Sequence, residues 1–80
     1  MEWHQVPTDA TVWTAVPDPA CRLDVWQGGR GWDWHVLDLS NNPGARMIAQ
    51  QRAEPDADAA KAMAEKHYWA YREARRHESR

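Results

Sequence analysis

The stretch CRLDVWQGGRGWDWHVLDL, residues 21–39, decides the fold that this chain is expected to adopt. Polar and apolar residues alternate on both sides of its glycines, which is the two-residue period of a strand with one buried face. Three glycines lie within residues 28–31, and glycine tolerates the positive φ angles that tight hairpin turns require. The stretch therefore predicts an antiparallel hairpin of strands 21–27 and 32–39.

One register of this hairpin collects its large apolar side chains on a single face. When Gln27 pairs with Trp32, that face carries Cys21, Leu23, Val25, Trp32, Trp34 and Val36. A slip of one residue would distribute the same side chains over both faces. The agreement predicts that Trp32 and Trp34 are core residues and that Cys21 faces inward beside them.

The chain after the hairpin is expected to add another antiparallel strand. Residues 45–53 follow SNNPG (40–44), whose composition is typical of a turn. Pairing Asp38 with Arg46 would align opposite charges, and the same register would place Val36 opposite Ile48.

Residues 1–20 are harder to assign. The β-branched and aromatic residues of 12–16 predict a strand that ends at the Pro-Asp-Pro segment 17–19. For residues 2–6, a further short strand and a non-strand arm both remain open.

The segment 56–77 predicts one C-terminal helix. Pro55 and Asp56 are typical start signals for a helix. A stripe with the spacing i, i+3, i+4, i+7 is expected to pack on the sheet, and it consists of Ala60, Met63, Ala64, His67, Tyr71 and Ala74. Trp69 lies about 180° around the helix from Ala60, so we expect it to face solvent.

These elements predict a single α+β domain over residues 1–80, with an antiparallel three- to four-stranded β-meander (21–53) packed against the helix. Eighty residues bury only a small core, and the one cysteine, Cys21, cannot form an internal disulfide. Six tryptophans and no phenylalanine make indole rings the main source of buried apolar area. Because the sequence lacks a leader-like start and a long apolar run, we expect a cytoplasmic protein without membrane contact.

The sequence predicts neither an enzyme nor a cofactor or metal site. Its glycines lie between two strands, whereas a phosphate-binding loop places them between a strand and a helix. The four histidines and Cys21 lack the closely spaced ligand pairs that are typical of zinc sites. No serine or cysteine is placed beside a base that would activate it as a nucleophile.

Charge and exposed tryptophans instead predict a binding surface. Residues 1–60 contain nine acidic and four basic side chains, whereas residues 61–80 contain six basic and three acidic ones. The hairpin face opposite the core carries Trp26, and exposed tryptophan is typical of binding hot spots, although an N-terminal segment folded over this ring remains an alternative. The predicted partner-binding residues are Trp26, Asp24, Asp33, His35, Glu54, Asp56, Asp58 and Trp69. Among them, His35 is expected to pair with Asp24 across the hairpin.

The order of CRLDVWQGGRGWDWHVLDL, ARMIAQQRA and DADAAKAMAEKHYWAYREA resembles a group of small phage and prophage proteins built as a β-meander followed by one helix. This group includes anti-CRISPR proteins against type I systems, and the resemblance covers about residues 21–76. It implies a non-enzymatic inhibitor that docks on a Cascade effector complex and blocks its binding of target DNA.

An acidic surface with an exposed aromatic ring would fit a Cascade subunit whose DNA-binding surface is basic, in the manner of a DNA mimic. Direct nucleic-acid binding is not expected on that face, because its acids would repel phosphates. The alternatives are a small nucleic-acid-binding module that uses the basic C-terminal helix (Trp69, Arg72, Arg75, Arg76 and Arg80) and a small phage structural or regulatory protein. A homodimer seam at the exposed tryptophans also remains open.

Overall fold

The computed structural model describes residues 1–40 and 44–78. Within these ranges the chain forms five strands and one helix: β1 (His4–Val6), β2 (Asp9–Asp18), β3 (Cys21–Gln27), β4 (Trp32–Asp38), β5 (Arg46–Glu54) and α1 (Ala57–Glu78). The strands form one antiparallel sheet in the order β1-β2-β3-β4-β5. The α+β class is confirmed, and the sheet has more strands than the three or four predicted.

The hairpin of β3 and β4 has the predicted register. Gln27 lies opposite Trp32, and the pairing continues without a shift to the far end of both strands. The backbone N–H of Gly28 donates to the carbonyl of Gly31 at 2.7 Å and closes the turn. The inner face contains the centre of the core, with Trp34 only 1% exposed, while Trp32 is half-buried at its margin.

The N-terminal residues form a second hairpin. The strand predicted at 12–16 is longer and runs over the whole of β2, and the segment 2–6 contains the short strand β1. Pro17 is tolerated inside β2 because the pairing with β3 shifts between Ala15 and Asp18, and such irregular positions accommodate proline.

The pairing of β4 with β5 is partly as predicted. Asp38 lies opposite Arg46, but Val36 lies opposite Ala49, so the predicted pair of Val36 with Ile48 is wrong. The ladder shifts just after Val36, which places an additional residue on β5. Residues 41–43 of the predicted SNNPG turn lie outside the described part of the chain.

Helix α1 lies across β3, β4 and β5, and its start is capped by Asp56, whose Oδ1 accepts the Ala59 N–H at 2.7 Å. Its fully buried residues are Ala60, Ala64 and Tyr68, the last of which is absent from the predicted stripe. The other members of that stripe, Met63, His67 and Tyr71, are half-buried.

Ala74 is exposed, so its predicted burial is wrong. A helix of 22 residues is about 33 Å long, whereas a seven-residue strand is about 23 Å long. Among the described residues, Tyr71 is the most C-terminal helix residue packed against the core, so the helix extends past the core at Ala74. The described residues contain no helix that is both long enough and apolar enough to cross a membrane.

Long side chains attach the N-terminal hairpin to the helix. The Lys61 ammonium lies 3.7 Å from the centroid of the Trp13 ring, and the Trp3 indole N–H donates to Glu65 at 3.4 Å. Both tryptophans pack against the core on the helix side of the sheet. They therefore leave the opposite face, which carries Trp26, uncovered.

The glycine turn provides a sensitive test of this fold. Gly31 has φ +151°, and a Cβ built there would lie 2.6 Å from the backbone carbonyl oxygen of Glu54. We expect Gly31→Ala to lower the free energy of unfolding by about 1–3 kcal/mol. Alanine is strained at this positive φ angle, and its Cβ would clash with the Glu54 carbonyl oxygen. Urea unfolding measures the change. Gly29→Ala is the control because no atom lies within 4 Å of its Cβ position, and equal stability of the two variants would contradict the described turn.

Candidate binding surfaces

The sheet face opposite the helix is open, and four predicted partner-binding residues meet on it. Trp26 lies opposite Asp33 in the ladder, and Asp24 lies opposite His35. The Trp26 and His35 rings are 4.8 Å apart at 61°, an edge-to-face contact. We call Asp24, Trp26, Asp33 and His35 the outer patch.

The predicted cross-strand pair is confirmed within the outer patch. His35 Nε2 lies 2.6 Å from Asp24 Oδ2, and Arg22 Nε donates to the same oxygen at 3.0 Å. Burial acts to raise the pKa of Asp24, but hydrogen bonds from His35 and Thr14 and the charge of Arg22 lower it overall. The charge of Asp24 is therefore partly compensated, and the patch is less acidic than its composition indicates.

Asp33 also has a structural contact. Its Oδ1 accepts the backbone N–H of Ala53 at 3.0 Å. Ala53 has φ +66°, a conformation that alanine rarely adopts. Asp33 therefore supports an irregular segment of β5 at the edge of the outer patch.

The remaining predicted residues lie elsewhere. Glu54 pairs with Trp32, Asp56 caps the helix, and Asp58 lies in the first helical turn. The structure thus places these three acids where β5 leads into the helix. Trp69 lies on the helix and is 52% exposed, as predicted. The eight residues form three separate groups instead of one surface.

Trp69 is at the centre of a second exposed surface. Its ring contacts Tyr68 edge-on at 4.9 Å, and the Arg72 guanidinium lies 5.7 Å from its centroid. The same ring borders a groove of about 430 Å³ that is also lined by the exposed side chains of Met1 and Val16.

A polar cluster at the end of the inner face was missed by sequence reasoning. Asp18, Cys21 and Asp38 lie side by side on three neighbouring strands. The Tyr68 hydroxyl donates to Asp18 at 2.5 Å, and the Tyr71 hydroxyl donates to Asp38. We call Asp18, Asp38, Tyr68 and Tyr71 the Asp–Tyr cluster.

Two arginines complete this cluster. Arg72 Nη1 donates to the Tyr68 hydroxyl at 3.2 Å, and Arg75 Nη1 contacts Asp38 at 3.2 Å and Tyr71 at 3.1 Å. The signal that could have revealed the cluster is the spacing Y-x-x-Y-R-x-x-R at residues 68–75, which places all four side chains on neighbouring helix positions.

The cluster shifts the ionisation of its members. Hydrogen bonds from the Ser40 hydroxyl, from Tyr71 and from the Ser40 backbone amide lower the pKa of Asp38 to about 2. Burial, together with the charges of Asp18 and Asp38, raises the pKa of the Cys21 thiol to about 11. Asp38 is therefore a carboxylate, and Cys21 a protonated thiol, at neutral pH.

Within the part of the chain that the structure describes, these surfaces define a small α+β protein whose sheet is covered by a helix on one face. In the described ranges, no group of three or more histidine, cysteine, aspartate or glutamate side chains could hold a metal ion. Comparisons with family models, with curated proteins and with solved structures found no match for the chain.

Proposed function

We propose that this protein is a non-enzymatic binding protein that covers a basic surface of a protein partner. In its specific form, the proposal is an anti-CRISPR protein that binds a type I Cascade complex and blocks target-DNA binding. The observation that carries the proposal is the open sheet face with Trp26 in the outer patch. Although His35 and Arg22 partly compensate Asp24, carboxylates beside an aromatic ring are complementary to the lysine- and arginine-rich surfaces that handle DNA.

The geometry of Trp26 suits a binding hot spot. Its ring is half-buried and packs on His35, which is in turn held by Asp24. A side chain that is already ordered loses little conformational entropy when a partner covers it. The same ring still offers exposed apolar area, which is typical of the residues that dominate binding energy.

The state of Cys21 supports a non-enzymatic role. Its side chain is 5% exposed, and its thiol has a pKa of about 11. Because the thiolate is the nucleophilic form, a thiol that stays protonated at neutral pH is a poor nucleophile. The cysteine therefore serves as a small apolar residue of the core.

Replacing Trp26 tests the proposal. We expect Trp26→Ala to weaken binding to purified type I Cascade by about thirtyfold, which corresponds to about 2 kcal/mol. Affinity is measured by biolayer interferometry, and the block of target-DNA binding by a mobility-shift assay. Thermal unfolding is measured first, so that a loss of affinity is not a loss of fold.

Trp69→Ala tests the second predicted partner-binding tryptophan separately, because it removes the same side chain from the helix instead of the open sheet face. Unchanged Cascade binding by Trp26→Ala would refute the role of the outer patch. No binding of the wild-type protein to type I Cascade complexes of several subtypes would refute the anti-CRISPR assignment.

A second candidate function is nucleic-acid binding by the helix. The observation in its favour is the exposed Trp69 ring beside the Arg72 guanidinium, a combination that resembles a base-stacking platform. Arg80, which the prediction also named for this function, lies outside the described residues. DNA or RNA binding that weakens steeply with salt and is lost in Trp69→Ala would favour this candidate over the first.

A further inference from the structure

We propose that the cleft beside the Asp–Tyr cluster binds a small organic anion, a carboxylate or phosphate group carried on a flat apolar body. The cleft lies between the β2–β3 turn, the end of β4 and the C-terminal half of α1. Its volume is about 320 Å³, within the range of small-molecule sites. This site is separate from the outer patch and does not depend on the proposed function.

The inner part of the cleft is suited to an apolar group. It is lined by Ala20 from the β2–β3 turn, by Cys21 from β3 and by Tyr68 and Tyr71 from the helix, with Asp18 beside them. The protonated Cys21 thiol adds no charge there. A flat ring or short hydrocarbon placed between these side chains would bury apolar area.

The two carboxylates of the Asp–Tyr cluster already accept hydrogen bonds. Asp38 is 2% exposed and accepts hydrogen bonds from Ser40, Tyr71 and Arg75. Asp18 accepts the Tyr68 hydroxyl and the backbone N–H of Ala20. Asp18 itself lines the cleft, and both of its oxygens already accept hydrogen bonds, so an anion is expected to bind beside the guanidinium groups and away from Asp18.

The groups at the rim are guanidinium groups. The hydrogen bonds that Arg72 and Arg75 form with the cluster all use Nη1, although each guanidinium has five N–H donors. The Arg75 side chain lines the cleft and is 52% exposed, so it remains accessible to a ligand. Two guanidinium groups fixed by tyrosine hydroxyls match the planar, bidentate geometry of a carboxylate or phosphate.

A titration with phenyl phosphate, followed by NMR, tests this inference on the full chain. We expect saturable shifts of the backbone amides of Ala20, Cys21 and Ser40, with weaker binding of inorganic phosphate and of benzyl alcohol. Arg72→Gln should raise the dissociation constant about tenfold or more, because it removes a charged donor. Arg72 is exposed, so its replacement is expected to leave the fold intact.

Arg52→Gln is the matched control, because it removes the same charge from an exposed position on β5. We expect it to change the dissociation constant less than about twofold. An equal effect of both variants, or no saturable shift, would overturn the site. Benzyl alcohol binding as tightly as phenyl phosphate would overturn the assignment of an anionic group to the ligand. Inorganic phosphate binding as tightly as phenyl phosphate would overturn the assignment of an apolar body. A single-stranded oligonucleotide that displaces phenyl phosphate and binds more tightly would overturn the restriction to a small ligand.

Discussion

Trp34→Ala is expected to leave most of the chain unfolded at 25 °C. Trp34 is 1% exposed and has the largest volume of the fully buried side chains among the described residues. The other large apolar side chains of this kind are Tyr68, Leu23, Val25 and Val36. Truncation of a buried aromatic ring to alanine costs about 3–5 kcal/mol. A core of this size supplies a net stability of about 3–5 kcal/mol, so the loss approaches the whole. Circular dichroism during urea unfolding measures the effect.

Two other variants make the Trp34 experiment specific. Trp69→Ala removes the same side chain from a position that is 52% exposed, and we expect a change of less than about 1 kcal/mol. Trp34→Phe should be intermediate, because it retains a ring and removes a buried indole N–H that has no hydrogen-bond partner in the described structure. If Trp34→Ala unfolded at the same urea concentration as Trp69→Ala, the described core would be wrong.

Asp38→Ala is expected to lower the free energy of unfolding by about 3 kcal/mol. The substitution leaves the Ser40 amide, the Tyr71 hydroxyl and the Arg75 guanidinium without the buried carboxylate that they contact. The buried carboxylate accepts all of these hydrogen bonds, one of them from a charged group, and its loss leaves the half-buried Tyr71 hydroxyl without its acceptor. Asp58→Ala is the control, since this exposed carboxylate in the first helical turn contributes at most about 1 kcal/mol through the helix dipole.

The lowered pKa of Asp38 predicts that the free energy of unfolding depends on pH in the acidic range. The pKa of Asp38 in the folded protein is about 2, below its ordinary value of 3.8. A lowered pKa means that the folded state favours the carboxylate, so this contribution is complete above about pH 5 and is lost as the pH falls through 2. The contribution is about 2 kcal/mol by proton linkage.

Asp38→Asn isolates that titration. The difference in unfolding free energy between the wild-type protein and this variant should shrink steadily between pH 5 and pH 2. Urea unfolding at a series of pH values measures it. A difference that stays constant over this range would contradict the lowered pKa of Asp38.

The central hairpin could be predicted because its information is local. Alternation of apolar and polar residues determines which face of a strand is buried, and only one register of β3 against β4 buries Val25 and Trp34 together. The helix could be predicted in part, since the same argument with a period of 3.6 residues places Ala60 and Ala64 inward and Trp69 outward, but the predicted stripe lacked the buried Tyr68. The hairpin prediction depends on two strands that are adjacent in the sequence, and the helix prediction depends on spacing within a single helix.

The irregular parts of the fold could not be predicted in this way. The shift after Val36 in the β4–β5 ladder moves one residue of β5 out of register, and no local signal in ARMIAQQRA marks it. The exposure of Ala74 depends on where the sheet ends beneath the helix, which is a property of two elements together. Periodicity shows which side of a helix faces inward, but it does not show how much of the helix has a sheet to face.

The candidate sites also differ in whether a local sequence pattern or only the tertiary packing brings their residues together. By itself, the sequence determined that Asp24, Trp26, Asp33 and His35 share one face, because cross-strand neighbours follow directly from the hairpin register. Only the tertiary structure decided that Glu54 lies apart from them and that the Asp–Tyr cluster exists. Asp18 and Tyr68 are 50 residues apart in the chain and meet only when the helix packs across the sheet. Contacts of this kind depend on the crossing of whole elements, and a pattern within either element does not contain that crossing.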